Sequence, residues 1–188
     1  MYFEVLLVAL VVASTAVAGD QAKSFVNSKF GYKMMVPAKW EMDLSGSGVP
    51  VLFNYKRSEG GPQGLFPEHG AHLFIVPLTV VQPMANAKRI DEWIQFNLRH
   101  SHEDPLIRQV PDLDPGEGGP RNIVEVQADF IRDEQDGERQ REFNYYFTLR
   151  NTAFRLMLLY WKSNPQGRSF QSTAEDVLRS IKATSTAP

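Results

Sequence analysis

Along most of this chain apolar and polar residues alternate in the rhythm of strands, and two stretches replace that rhythm with a helical one. In Ile123 to Ile131, Val124, Val126, Ala128 and Phe130 alternate with Glu125, Gln127 and Asp129. In Arg141 to Arg150, Phe143, Tyr145, Phe147 and Leu149 alternate with Glu142, Asn144, Tyr146 and Thr148. A period of two puts each set on its own face, so both strands are expected to carry one apolar face and one wet or polar-lined face. Ala153 to Trp161 (AFRLMLLYW) is apolar at nearly every position, which places it in the middle of a sheet. Asp133 to Glu138 is expected to join the first two strands as a hairpin loop, and Asn151-Thr152 to turn into the third.

The first half is more broken. Ser24 to Asn27 and Tyr32 to Val36 flank the turn Ser28-Lys29-Phe30-Gly31, and Pro37 stops the second strand, which gives a hairpin-like start. Trp40 to Leu44 and Val51 to Tyr55 read as short strands, and Ala71 to Pro77 as a buried one. Glycine and proline dominate Lys56 to Gly70, which describes a long surface loop. Helical spacing appears in Ala87 to His100, where Ile90, Trp93, Ile94 and Leu98 fall on one face. It returns at Phe170, Ala174, Val177, Leu178 and Ile181, with Ser169 expected as the N-cap. The expected fold is α+β, an antiparallel sheet of six or seven strands covered by helices.

The order of these elements resembles the PsbP-like/Mog-like α/β/α sandwich. The residues that carry the resemblance are the entry Gly31-Tyr32, Pro37 and Trp40, and the closing segment Ala153 to Ala183 (AFRLMLLYWKSNPQGRSFQSTAEDVLRSIKA). It covers residues 24 to 183 and rests on core and turn positions, so it transfers no binding residue. It implies a binding or assembly role, since the family includes extrinsic photosystem subunits, a nuclear transport factor and exported bacterial proteins. A shared fold does not carry a shared activity.

Composition narrows the compartment and the chemistry. The 188 residues are in the range of one domain and hold no cysteine, which excludes a thiol nucleophile, a thiolate metal site and a cysteine-linked lipid anchor. Lys plus Arg number 20 against 22 Asp plus Glu, a balance unsuited to a polyanion, so nucleic acid is not an expected partner. Val5 to Ala18 carries no charge and is shorter than the ~20 apolar residues of a spanning helix. Ala16-Val17-Ala18 supplies the small residues of a cleavage site, although Met1 to Glu4 lacks the usual basic residue. Residues 1–18 are therefore expected to be a signal peptide and 19–188 a single exported domain, periplasmic or extracellular, with no stable membrane insertion after cleavage.

No catalytic motif survives inspection. Gly46-Ser47-Gly48 lacks the spacing of a nucleophile elbow, and Gly60-Gly61-Pro62-Gln63-Gly64 has no following Lys-Ser/Thr to hold phosphate. Aligning Gly137 with the invariant glycine of a calcium loop puts Arg132 and Phe143 at ligand positions, so that reading fails. Four histidines fall in two pairs. His100 and His102 are expected to close the first helix, and His69 and His72 lie after Glu68 at the mouth of the Ala71 strand. A metal site needs both pairs to converge or a further carboxylate. Leu65 and Phe66 are apolar residues inside a glycine-rich loop, placed either to cover the sheet edge or to contact a partner. The candidate binding residues are Leu65, Phe66, Glu68, His69 and His72. The leading expectation is a non-catalytic exported module for a protein or small-molecule ligand, with no cofactor. A histidine-based metal-binding protein and a carboxylate–histidine hydrolase are the alternatives.

Overall fold

The computed structural model describes residues 21–44, 48–59, 67–80, 91–92, 94–95, 105–131 and 139–185. Its strands are β1 (Lys23–Asn27), β2 (Tyr32–Val36), β3 (Glu41–Leu44), β4 (Pro50–Phe53), β5 (Ala71–Pro77), β6 (Leu106–Gln109), β7 (Arg121–Ile131), β8 (Arg139–Leu149), β9 (Thr152–Trp161) and β10 (Lys182–Ala183). The helix α1 spans Gly167–Ser180 between β9 and β10. Seven strands form one antiparallel sheet in the order β3-β4-β5-β9-β8-β7-β6. The N-terminal hairpin β1–β2 forms a separate three-stranded sheet closed by β10.

The all-apolar segment takes the middle of the large sheet. β9 has three strands on either side, and its Phe154, Leu156 and Leu158 are at most 1% exposed. Cross-strand partners share a face, so the register defines two faces. One row of the inner face runs Ile75, Leu156, Tyr145, Glu125, Arg108 from β5 to β6. Phe170, Ala174, Val177 and Leu178 of α1, Ile181 beyond it, and Tyr32, Met34 and Val36 of β2 pack over this face in one buried cluster. Phe154 anchors the junction, with Phe147 stacked on it at 5.6 Å and Tyr32 edge-on at 5.8 Å.

The outer face is covered as well, so of the wet or polar-lined second face expected of β7 and β8 the structure has the polar-lined form. Leu78, Ile94, Val124, Val126 and Tyr146 form a second buried cluster there. Asp91, Glu92, Ile94 and Gln95 are helical, with Ile94 buried and the other three exposed, as the amphipathic spacing predicts. The rest of Ala87 to His100 lies outside the described residues.

The start of α1 corrects the cap reading. The helix begins at Gly167, and Ser169 sits inside it, where its carbonyl accepts the Thr173 hydroxyl at 2.9 Å. Asn164 sets the entry instead. Its side-chain oxygen accepts the Gln166 N–H at 2.8 Å and its carbonyl accepts the Gly167 N–H at 3.2 Å. Its amide also reaches the Glu68 carbonyl at 2.7 Å, tying the helix entry to the turn before β5. A Cβ on Gly167 would stand 2.6 Å from the Tyr160 ring, so the helix starts where glycine permits contact with β9. Gly167→Ala is expected to cost about 1–2 kcal/mol by overpacking. A chemical denaturation midpoint equal to wild type would show that the ring yields freely.

Candidate functional site

Among the described residues β6 ends the large sheet on one side, with β7 as its strand partner, and β3 ends it on the other. Pro105 and Pro111 bracket β6, which limits it to four residues, and all four are exposed. Leu106 is 58% and Ile107 42% exposed, apolar side chains on an edge that carries no lysine or bulge of its own. Arg108 fixes the strand from the other face. Its Nε and Nη2 donate to the two oxygens of Glu125 at 2.7 and 2.9 Å, and Glu125 is 1% exposed. This bidentate pair explains why an acid can sit in a buried row of β7.

On the outer face, β6 borders a groove of about 410 Å³. Its floor is aliphatic, from Ile94, Ile107 and Val124, and its rim is polar, from Asp91, Gln95, Gln109 and Asn122. Asn122 is held at φ 54°, a left-handed conformation that asparagine tolerates better than most residues. The pairing of β7 with β8 slips register between Arg121 and Val124, and Asn122 donates to the Thr148 hydroxyl at 3.3 Å. Strain and a bulge at a groove wall re-aim side chains there. Three carboxamides and one carboxylate above an aliphatic floor can hold a neutral or basic polar ligand. Among the described lining residues there is no serine, threonine, histidine or lysine.

A second polar feature lies nearer the middle of the outer face. Asn144 of β8 is 3% exposed and donates its amide to Glu142, whose carboxyl is pushed up by burial and pulled back by Asn144 and by the Arg155 charge. Gln140 Nε2, Asn144 Oδ1 and Arg155 Nε are buried without a hydrogen-bond partner. The register row Phe53, His72, Leu159, Glu142 places His72 two strands from this acid, about 10 Å between backbones, with Leu159 between them.

The structure separates the residues singled out in the sequence. Glu68 is exposed at its side chain and serves the fold through its carbonyl. His69 faces solvent, 66% exposed, with Nε2 3.4 Å from Glu59. His72 stacks on Tyr55 at 5.5 Å, bonds its Nε2 to the Tyr55 phenol, and meets Phe74 edge-on at 5.7 Å. Burial pushes the Tyr55 phenol up, so it stays neutral beside the imidazole. Leu65, Phe66, His100 and His102 lie outside the described residues, as do the acidic hairpin loop and residues 1–18. Among the described residues no three His, Asp or Glu gather where they could hold a metal ion. The groove residues escaped sequence reasoning. The signal that could have found them is the four-residue segment Leu106 to Gln109 between two prolines.

No family model and no curated protein matches this chain. Among solved structures, a Bacteroides thetaiotaomicron protein aligns at 15% identity and TM-score 0.46, over 87% of this chain and 48% of its own. This chain thus spans about half the length of that protein. Cyanobacterial PsbP (CyanoP) from Synechocystis aligns at 12% identity and TM-score 0.43, over 89% of this chain and 95% of its own. A Pseudomonas aeruginosa protein of unknown function, PA94, aligns at 11% identity and TM-score 0.41, over 89% and 96%. Likenesses of this degree assign neither a family nor an activity.

Proposed function

We propose that this chain is an exported, non-catalytic binding or assembly module of the PsbP-like/Mog-like kind. The observation that carries the binding reading is the aliphatic-floored, amide-rimmed groove beside the edge strand β6. Export is supported by the apolar run Val5 to Ala18 and the small residues Ala16-Val17-Ala18. No described helix is long and apolar enough to cross a membrane. The near balance of charge supports a protein or small-molecule ligand over nucleic acid.

Affinity capture from the exported fraction of the producing cell tests the binding reading. A stoichiometric partner is expected, retained by His72→Ala and His69→Ala. Hydrolysis of model esters or phosphate monoesters that His72→Ala abolishes would replace this reading with the hydrolase one. Calorimetric titration of metal-free protein with zinc and copper(II) at neutral pH is expected to give no one-to-one sub-micromolar binding. A site lost separately in His69→Ala and His100→Ala would reverse that expectation and make the protein a metal binder.

A further inference from the structure

We propose that β6 and its groove take an extended polypeptide segment of a partner protein as an eighth strand of the large sheet. This inference rests on the binding reading above and names the partner's chemistry. An edge strand presents a row of backbone N–H and C=O groups, and an extended backbone meets them in register. β6 is ready for such pairing, since the Arg108–Glu125 pair pins it from the inner face and its own side chains leave it exposed. An added strand sends alternate side chains to the outer face, where the groove adjoins Ile107 and Gln109.

The lining selects those side chains. The floor of Ile94, Ile107 and Val124 suits one aliphatic group, and Asp91, the single formal charge among the described lining residues, suits a basic one beside it. Gln95, Gln109 and Asn122 can bond to the backbone or to small hydroxyl side chains around them.

A second copy of this chain is the competing occupant. β6 is about 13 Å long, too short for a strand-to-strand dimer to approach the ~800 Å² per partner of a stable interface. A flexible segment whose side chain enters the groove does not depend on that area, because pocket and ladder act together.

The test uses the full exported chain, isotope-labelled, and the capped peptide acetyl-Thr-Leu-Thr-Lys-Thr-amide, which presents Leu and Lys on one face. Titration is expected to shift the amides of Ile107, Gln109 and Asn122 and to slow hydrogen exchange in β6. Two peptides N-methylated at alternate positions separate backbone pairing from simple groove filling. One of them is expected to bind at least about tenfold more weakly, the equivalent of one lost hydrogen bond and a steric block. Ile107→Lys, a change at an exposed site that leaves folding intact, is expected to weaken binding by a similar factor, and Lys to Glu in the peptide likewise. Equal affinity for both N-methylated peptides, or shifts confined to other surfaces, overturns strand addition. A concentration-dependent dimer in sedimentation that Ile107→Lys dissolves assigns the edge to a second copy and also overturns it. If the peptide fails while wild type and Ile107→Lys capture the same partner, strand addition falls and the binding reading stands.

Discussion

Leu156→Ala and Leu158→Ala are each expected to destabilise the fold by about 2–5 kcal/mol, the range for removing a buried leucine side chain and leaving a cavity. Both side chains are 0% exposed, on the central strand β9, and both point to the inner face. Leu158 lies between Leu73 of β5 and Phe143 of β8, and Leu156 between Ile75 and Tyr145. Strands on both sides hold the cavity open, so little collapse can offset the loss. Tyr145 is also fully buried, and burial foremost, then Glu125 and Glu175, pushes its phenol far up and keeps it neutral. Its ring, itself fully buried, already occupies the position beside Leu156. Urea denaturation of each variant checks the magnitude, with Val26→Ala as a control at a 53% exposed site. A loss under ~0.5 kcal/mol in either leucine variant, the size of a surface effect, would show that β9 is not the core strand.

The position of β9 was legible because a double-sided apolar run has one stable place in a sheet, and α1 because five apolar residues recur at helical spacing. The second face of β7 and β8 was not. Glu125 and Asn144 read as positions on a wet or polar-lined face; both are buried, Asn144 beside Glu142 two residues earlier on its own strand and Glu125 through a partner that the local pattern does not show. Arg108 is 17 residues before Glu125 in sequence and opposite it only because β6 pairs with β7. β6 itself has no alternation to read, since all four of its residues are exposed. β10 is too short to signal at all, and it exists because the chain leaving α1 returns beside β2, where Ala183 donates to the Gly118 carbonyl and Lys182 reaches those of Pro115 and Glu117. The α1 entry was misplaced because a serine before an amphipathic run is a good local cap, whereas Asn164 acts through a tie to Glu68 that is 96 residues distant in sequence. The candidate histidines were chosen by residue type and proximity; the turn before β5 leaves His69 in solvent, and the register sets His72 beside Phe53, where it stacks on Tyr55. Strand pairing decided the burial of Glu125, the place of β10 and the surroundings of His72, and pairing is the property that a period of two leaves open.

Asp129 should make the stability of this protein depend on acid pH in a way that one substitution removes. Arg141 donates to its two oxygens at 2.7 and 2.9 Å, and the Lys162 ammonium lies 2.6 Å from one of them. The Asp129 side chain is 10% exposed, against 27% for Arg141 and 42% for Lys162, so solvent screens the lysine more than the arginine. Arg141 foremost, then Lys162, outweighs the cost of burial and lowers the carboxyl from 3.8 to about 2. A carboxyl depressed on folding stabilises the native state above its unfolded value and loses that contribution as pH falls through the folded one. The contribution is thus about 2 kcal/mol above pH 4, and it fades between about pH 4 and pH 2. Asp129→Asn keeps the shape and removes the charge, so it is expected to be less stable than wild type by about 2 kcal/mol at neutral pH. The difference should shrink to a few tenths of a kcal/mol, roughly RT ln 2, near pH 2, because the wild-type carboxyl is by then about half protonated in the fold and almost fully so in the unfolded chain. Other carboxyls titrate equally in both proteins and cancel in the difference. Guanidinium denaturation would screen the ion pair, so urea curves at pH 7, 4, 3 and 2 are the measurement. A difference that stays constant across those four curves would mean that hydrogen bonding or packing at Asp129, rather than its charge beside Arg141 and Lys162, holds β7 and β8 to the end of β9.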